Sequence, residues 1–329
     1  MNTERLPTNK TIIMRFFLLI LAVCVSQITQ AQETDSIVKT LDTLTWKQVN
    51  RVGLDINEVT FVNWSAGGAN SISALLALNS SLRYKKNNLI WFNAIRTRYG
   101  INKQEDQLLR KTEDELELIS TIGYRKDTIS NWYFSGRFNF KTQYSNGYNY
   151  PNRDNPISRF MAPGYVFVGG GAEYGKNIEK LSFYLSPLTF KGTFVLDQKL
   201  ADNGAFGVAP AVYDIDGNKI QDGEMMRTEM GILITNAYEA QVMENIYLRN
   251  QLSLYTDYLN SFGNIDVDWE VVFDFKVNNF VKATLGSHIK YDNDIKIIEE
   301  AETEEAEAIE RGASIQWKQL LGIGVVVDF

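Results

Sequence analysis

The sequence ends with GASIQWKQLLGIGVVVDF, residues 312–329, and this stretch decides the fold class. One set of alternate positions is apolar except at Gln319 and consists of Trp317, Leu321, Ile323, Val325, Val327 and Phe329. Such a two-residue period indicates a β-strand with one apolar face. A strand that ends the chain on an aromatic residue is typical of an outer-membrane β-barrel, whose last strand pairs with the first and leaves no edge unpaired in lipid. Phe329 is also the kind of terminal residue that the barrel-insertion machinery recognises, so we expect that machinery as a partner.

The same alternation recurs in the middle of the chain. Residues 131–141 read NWYFSGRFNFK and residues 266–275 read DVDWEVVFDF, and each has one apolar and one polar or charged set of alternate positions. This is the pattern of a transmembrane barrel, in which lipid covers the outside and water reaches the inside. A soluble β-sandwich alternates too, and the period does not say which face points outward.

The lengths of the connections favour the barrel. We predict about twelve strands, over 53–64, 71–85, 88–99, 114–125, 131–142, 164–175, 180–192, 227–240, 243–257, 264–276, 280–290 and 316–329. Tight connections fall at 86–87, 126–130, 176–179, 241–242 and 277–279. They alternate with long ones at 100–113, 143–163, 193–226 and 291–315 and intermediate ones at 65–70 and 258–263. Short turns on one side and longer loops on the other predict an all-β, transmembrane, antiparallel up-and-down barrel.

The N-terminal region predicts export. Residues 1–31 resemble a signal peptide, with basic residues ahead of the apolar segment Phe16–Val25 and small residues before a cleavage site after Ala31. Cys24 raises the alternative of a lipoprotein signal, which Val23 disfavours. Residues 32–52 show no strong pattern and are expected to be a periplasmic lead-in, so the barrel domain is 53–329 and its expected location is the cell outer membrane.

Composition excludes several classes of function. The chain carries a net charge of −7, and removal of the basic signal would make it more acidic, which argues against nucleic acid as a partner. Cys24 is the only cysteine, so the predicted mature chain has neither disulfides nor a thiolate metal site, and we expect no cofactor or metal. The acidic stretch 297–311 could suggest calcium, but it lacks the alternating Asp/Asn and glycine of a calcium loop and is better explained as a solvated face.

Several motifs carry a resemblance to a known family. They are NWSAGGANS at 63–71, YG at 99–100, TQY at 142–144, GY at 147–148, SRFMAPGY at 158–165, LSPLT at 185–189 and AFG at 205–207. Together they resemble an uncharacterised family of outer-membrane β-barrels from the Bacteroidota that is known by a domain-of-unknown-function label. The resemblance implies the fold and the compartment, and it brings no activity with it.

The hairpin 264–290 contains the single histidine and the clearest candidate site. A three-residue turn at 277–279, with Asn279 in the left-handed region, would place Phe275 opposite Val281 and match the apolar faces. The same register would pair Asp266 with Lys290, Asp268 with His288, and Asp274 with Lys282 on the polar face. The candidate lumen charges are therefore Asp266, Asp268, Asp274, Lys282, His288 and Lys290, together with Arg137 and Arg249. Further candidates for the lumen are Arg96, Arg98, Glu173, Glu229 and Glu270.

Three functions are compatible with these residues. The leading hypothesis is a narrow channel or transporter for small solutes, in which the lumen charges set selectivity. The alternative is a closed structural or surface-interaction barrel that binds through its long loops, and outer-membrane lipid is an expected partner of either. A third hypothesis is a hydrolase that uses Asp268 and His288, but no serine or second carboxylate can be tied to that pair. We therefore expect no enzyme and assign no catalytic residue.

Overall fold

Alternating strands build a sheet that closes on itself. The computed structural model of the protein describes residues 45–60, 69–127, 129–177, 181–259, 262–294, 296–299 and 309–328. Within this part the fold is all-β with one closed, antiparallel barrel of twelve strands, which confirms the predicted fold class. The predicted signal peptide, its cleavage site and Phe329 lie outside the described residues, as do the middle of the acidic stretch and most of the motif at 63–71.

The barrel is a simple meander. The strands are β1 (Thr45–Val59), β2 (Ser71–Lys86), β3 (Leu89–Gln104), β4 (Arg110–Tyr124), β5 (Trp132–Thr142), β6 (Gly147–Tyr148), β7 (Pro156–Ser158), β8 (Gly164–Asn177), β9 (Leu181–Phe194), β10 (Val212–Tyr213), β11 (Lys219–Gln221), β12 (Met226–Met243), β13 (Ile246–Asp257), β14 (Asp266–Lys276), β15 (Val281–Tyr291), β16 (Lys296–Glu299), β17 (Ile309–Ala313) and β18 (Gln316–Asp328). Around the ring the order is β1, β2, β3, β4, β5, β8, β9, β12, β13, β14, β15 and β18, and β18 pairs with β1. The short pairs β6–β7, β10–β11 and β16–β17 form separate two-stranded sheets in the loops.

The two ends of the barrel differ. At one end, which we call the short-turn rim, described turns join β2 to β3, β12 to β13 and β14 to β15, and the pairing of Thr45 with Lys85 places the start of β1 there. At the other end, the long-loop rim, connections run over 143–163, 195–225 and 292–315. The connection at 195–225 contains a helix, Gln198–Asp202, whose N-terminus is capped by Asp197, and a 3-10 turn, Ala205–Gly207. No helix among the residues that the structure describes has the length and apolar character needed to cross a membrane.

The outer face of the barrel is apolar and exposed. On β18 the alternate residues from Trp317 to Val327 point outward as expected, and Leu321 is 74% exposed. Phe134 on β5 is likewise 74% exposed. Exposed large apolar side chains occur on most strands of the barrel, which is unusual for a soluble monomer and is the arrangement expected where lipid surrounds a barrel.

Several strand boundaries differ from the prediction, and at the start of β1 the reason is that outward polar residues mask the alternation. β1 begins at Thr45, so residues 45–52 belong to the barrel and not to the lead-in. Gln48 and Asn50 interrupt its apolar face, and they hydrogen bond to each other (3.3 Å) and to Ser80 of β2 (2.7 Å from Asn50). β3 and β4 are also longer than expected, so the connection predicted over 100–113 shrinks to 105–109. The turn predicted at 241–242 lies at 244–245.

The hairpin of β14 and β15 corrects the predicted register by two residues. Asp268 lies opposite Lys290, Glu270 opposite His288 and Phe273 opposite Leu285, so the faces are as predicted but the directly opposed pairs are not. The turn spans 277–280. Asn279 does not adopt the positive φ that the prediction gave it. The side chain of Asn278 closes the turn instead, because its Oδ1 accepts the backbone N–H groups of Phe280 and Val281, each at 2.8 Å.

Candidate functional site

The polar set of alternate residues meets in the middle of the barrel. Arg98 of β3 donates from Nη1 to Oε1 of Glu270 on β14 over 2.7 Å, although these strands are five places apart around the ring. Arg96, also on β3, donates to Gln251 on β13 over 3.2 Å. β3 and β13 are six places apart in either direction and therefore lie opposite each other. A contact between opposite strands can only pass through the interior, so side chains span the lumen at this level.

Arg98 is the centre of what we call the central ion network. Its guanidinium also lies 3.2 Å from Glu115 and 3.6 Å from Glu113. Lys141 of β5 is 2.8 Å from Glu115, and Lys318 of β18 is 2.8 Å from Glu113. The network therefore consists of Arg98, Glu113, Glu115, Lys141, Glu270 and Lys318. Because every charge in it faces an opposite charge, the low-dielectric interior strengthens each contact.

A second cluster fills the lumen beside β5, β8, β9 and β12. Arg137 contacts Glu173 at 3.2 Å and donates to the hydroxyl of Thr235 at 2.6 Å, and its guanidinium lies 4.2 Å from the ring centroid of Tyr184. Glu173 and Tyr184 are both fully buried. Tyr184 packs with Leu233, Tyr255 and Phe167 in an apolar cluster. Side chains that lined an open pore would be wet, so their burial indicates packing across this half of the lumen.

The long-loop rim carries a third set of ion pairs. Lys191 of β9 lies 2.9 Å from Asp266 on β14 and 3.2 Å from Glu229 on β12. Nearby, Arg227 contacts Asp294 at 2.6 Å and donates to the carbonyl of Gly207 at 3.2 Å. These contacts join the 195–225 loop to the start of the loop after β15, so two connections meet above the interior.

Two of the three charge pairs predicted for the β14–β15 hairpin are in contact, and the third is replaced by other contacts. His288 Nε2 is 2.6 Å from Asp268, and Lys282 is 3.1 Å from Asp274. Both contacts are diagonal, since the directly opposed residues are Lys290 and Thr284. Arg249 also reaches Asp274, at 3.3 Å. The expected contact of Asp266 with Lys290 is replaced by two others: Asp266 binds Lys191, and Lys290 lies 3.6 Å from Asp268.

His288 does not form an activated nucleophile in this arrangement. Among the described residues its ring hydrogen bonds to Asp268 and to no serine or threonine hydroxyl. Covalent catalysis by such a pair needs a nucleophile within hydrogen-bond reach of the base. In the same part of the chain no group of three His, Cys, Asp or Glu side chains is placed to hold a metal ion. Among the described residues the two side chains are therefore placed as a hydrogen-bonded pair in the interior.

Sequence reasoning missed the acidic and basic residues that complete the interior: Glu113, Glu115, Glu117, Lys141, Lys191, Arg227 and Lys318. Lys141 and Lys318 do lie on the polar faces of alternating segments, so that pattern could have identified their orientation. Their partners could not be identified in this way. Lys318 and Glu113 are 205 residues apart in sequence and four strands apart in the ring.

The loops of the long-loop rim have a folded core of their own. Ala162, Val195, Leu200, Ala201 and Val208 are buried together. Asp202 fixes the 195–225 loop, since its carboxylate accepts from Lys219 Nζ and from the backbone N–H of Gly223, each at 2.8 Å. These hydrogen bonds lower the pKa of Asp202 to about 2, and the bond from Lys219 has the largest effect. The contact with Asp202 in turn raises the pKa of Lys219. The buried core and these hydrogen bonds therefore hold the loops of the long-loop rim in one conformation.

Comparison with known proteins supports little beyond the fold. The family described as a protein of unknown function, DUF3078, matches residues 56–148. No curated protein matches the chain. Among solved structures, the translocator domain of the autotransporter NalP from Neisseria meningitidis is 8% identical, with 94% of this chain and 95% of that chain covered and a TM-score of 0.34.

Two further barrels are similar at the same level. An outer-membrane channel from Pseudomonas putida F1 is 12% identical, with 90% of this chain and 100% of that chain covered and a TM-score of 0.40. OmpF from Salmonella typhi, in complex with daunomycin, is 10% identical, with 88% and 98% covered and a TM-score of 0.26. At these identities and TM-scores the similarities say nothing about activity.

Proposed function

We propose that the protein is an outer-membrane β-barrel whose lumen is closed by its own side chains and which acts through the folded loops of its long-loop rim. The observation that carries this proposal is the 2.7 Å contact between Arg98 and Glu270 through the middle of the barrel. The sequence alone favours a narrow channel, but an open pore needs a continuous wet path. The central ion network occupies that path with paired charges.

Polar groups on the outer face support a membrane location. In lipid, an indole N–H without a partner costs free energy, so it needs an acceptor within the protein. Three outward tryptophans have one on the neighbouring strand: Trp91 donates to Ser120 at 3.0 Å, Trp269 to Asn250 at 2.8 Å and Trp317 to Ser287 at 3.0 Å. A water-exposed tryptophan would not require these partners.

The loops of the long-loop rim support a binding role. The hairpin formed by β10 and β11 rises from the 195–225 loop and exposes apolar side chains, including Tyr213 and Ile220. Ile215, at its tip, is fully exposed. Because the base of this loop is anchored by a buried core, the hairpin is held in place and can present these side chains to a partner protein.

A gated channel is the second candidate, and one observation favours it. Ion pairs cross the centre of the lumen, beside the cluster that packs around Tyr184. Charged side chains on opposite strands can separate if each finds another partner or water, and an applied membrane potential acts on them directly. In this case the closed barrel would be the resting state of a pore.

Solute uptake into vesicles tests the proposal. The purified, heat-modifiable barrel is reconstituted into liposomes, and swelling is followed in sugars and amino acids of graded size. We expect no swelling above protein-free liposomes without an applied potential. Swelling that depends on solute size would establish an open pore and overturn the closed-barrel proposal. Swelling that depends on an imposed potential would favour the gated channel.

A further inference from the structure

A cavity lies on the outside of the barrel at the long-loop rim. It has a volume of about 270 Å³ and opens between the ends of β3 and β4 and the loop that follows β5. Asp114 of β4 holds this loop against the outer face, since its carboxylate accepts the backbone N–H groups of Tyr144 (2.8 Å) and Ser145 (2.9 Å). Lys111 adds a third tie by donating to the carbonyl of Ser145 over 2.8 Å. The cavity therefore has fixed walls.

Two adjacent tyrosine rings with an arginine against each of them form one wall. The guanidinium of Arg153 lies 5.1 Å from the ring centroid of Tyr148, and that of Arg110 lies 5.6 Å from the ring centroid of Tyr150. The two tyrosine rings are 6.0 Å apart. The hydroxyl of Tyr150 accepts the backbone N–H of Lys111 at 3.1 Å, which fixes this wall to β4. Contact with an aromatic face positions a guanidinium while leaving its N–H groups free to donate.

Three cationic side chains line the cavity, and one of them has a carboxylate partner. Lys111 is paired with Asp114 at 2.9 Å, but in the described part of the chain Arg110 and Arg153 have no carboxylate within ion-pair distance. None of the described residues that line the cavity is acidic. Two unpaired guanidinium groups on one wall present the planar donor geometry that binds phosphate oxygens in pairs.

The height of the cavity matches a membrane surface. Trp91 and Tyr99 both point outward on β3 and are eight residues apart. That separation is about 26 Å along a strand and roughly 20 Å along the axis of a barrel with tilted strands, close to the height of an apolar band of about 25 Å. Trp91 lies near the short-turn rim, so Tyr99, which lines the cavity, lies near the opposite membrane interface. Ile95, between them, is exposed where an acyl chain would run.

We propose that this cavity binds the phosphate of a phosphorylated lipid headgroup in the leaflet that surrounds the long-loop rim. The inference rests on the proposed membrane location. Arg110 and Arg153 would donate to the phosphate, the two tyrosine rings would border the headgroup, and Ile95 would contact the acyl chain. A free phosphate or a soluble sugar phosphate shares the charge but cannot use the apolar surface below, so the lipid is the ligand that the site fits.

Native mass spectrometry of the detergent-purified barrel tests this inference. The probes are lipid A, which carries phosphates on a glucosamine disaccharide, and the same lipid with its phosphates removed. We expect lipid A to bind and the dephosphorylated lipid to bind at least tenfold more weakly. The double variant Arg110→Gln and Arg153→Gln should lose this preference. The matched control Lys126→Gln and Lys276→Gln, which removes two charges from exposed residues at the short-turn rim, should keep it.

Different results would contradict the lipid site and the proposed membrane location. Equal binding of lipid A to wild type and to the arginine variant would overturn the site. If millimolar inorganic phosphate or glucosamine 1-phosphate displaced bound lipid A as effectively as unbound lipid A does, the lipid would be ruled out as the ligand of the cavity. Heat-modifiable mobility and insertion into vesicles are measured on the same preparations. If the protein folds and inserts but shows no preference for lipid A, only the proposed lipid site is contradicted. If the protein does not insert, the proposed membrane location is contradicted.

Discussion

Arg98 and Glu270 lie five strands apart around the ring, and their side chains meet at 2.7 Å in the interior. The contact is possible because twelve strands enclose an interior narrow enough for long side chains to fill. Arg98 also lies within ion-pair distance of Glu113 and Glu115, so one guanidinium serves three carboxylates. In the proposed closed barrel, the strands set the shape of the interior and the charged side chains fill its centre.

Loss of Arg98 should destabilise the barrel strongly. In Arg98→Met, three largely buried carboxylates lose their shared cation, and breaking a buried ion pair typically costs about 3–5 kcal/mol. Arg249→Met is the matched control, because Arg249 is more exposed and, among the described residues, forms an ion pair with a single carboxylate, that of Asp274 at 3.3 Å. We expect the control to lose under about 1 kcal/mol. Urea unfolding followed by heat-modifiable gel mobility measures both. Equal midpoints for the two variants would contradict a structural role for the network.

Two adjacent glycines should respond very differently to alanine. β8 and β9 change register between Gly170 and Ala172, and a Cβ at Gly171 would collide with the carbonyl oxygen of Leu185. A Cβ at Gly170 would meet no atom within 4 Å. Because strands cannot separate without losing ladder hydrogen bonds, Gly171→Ala should cost about 2 kcal/mol or more or prevent folding. Gly170→Ala should be nearly neutral. Refolding yield into detergent distinguishes them, and a well-folded Gly171→Ala would show the local register to be wrong.

The tryptophan hydrogen bonds of the outer face can be measured as coupling energies. A double-mutant cycle with Trp317→Phe and Ser287→Ala should give a coupling of about 0.5–1.5 kcal/mol for the 3.0 Å bond. Trp132→Phe combined with Ser287→Ala is the control, since Trp132 packs against Tyr174 on another strand pair. Unfolding from lipid vesicles supplies the free energies. A cycle that closes to zero at Trp317 would mean that its N–H faces water.

The 195–225 loop should open in acid through Asp202. Its folded pKa of about 2 lies below the ordinary aspartate value, so its stabilising contribution is complete above that value and is lost as the pH falls through about 2. The backbone N–H of Gly223, which donates to this carboxylate, is the reporter. Its hydrogen-exchange protection should fall between about pH 4 and pH 2 in wild type and vary little in Asp202→Asn. Asp216→Asn should behave as wild type, and an identical loss in all three proteins would contradict this assignment.

Much of the fold could be predicted from local alternation, because a strand with one apolar and one polar face can be recognised from about ten residues of sequence. The exposed face of Trp317 to Val327 is an example. Alternation fails where polar residues pair on the outer face, as Gln48 and Asn50 do, and the start of β1 was therefore predicted too late. The prediction of the β14–β15 register was wrong because the turn is longer than expected and is closed by the side chain of Asn278, which accepts backbone N–H groups of Phe280 and Val281.

The candidate site was less predictable than the fold. Alternation gives the face of Arg98 and of Glu270 but not their contact, because the two residues are 172 apart in sequence. Which residues meet inside depends on the number of strands, their tilt and the stagger of the whole ring. Asp268 and His288 could be brought together from sequence because they share one hairpin, although their contact is diagonal and not directly across.

Single-channel recording in a planar bilayer tests the closed lumen most directly. The wild-type barrel, folded by the heat-modifiability criterion, should insert without conductance steps at low applied potential. The triple variant Arg96→Ser, Arg98→Ser and Glu270→Ser removes the side chains that make the central cross-barrel contacts, and its folded fraction by the same criterion should conduct in discrete steps. Steady ohmic steps from the wild-type protein, with an ion preference that changes in Asp268→Asn, would contradict the closed barrel and establish an open channel.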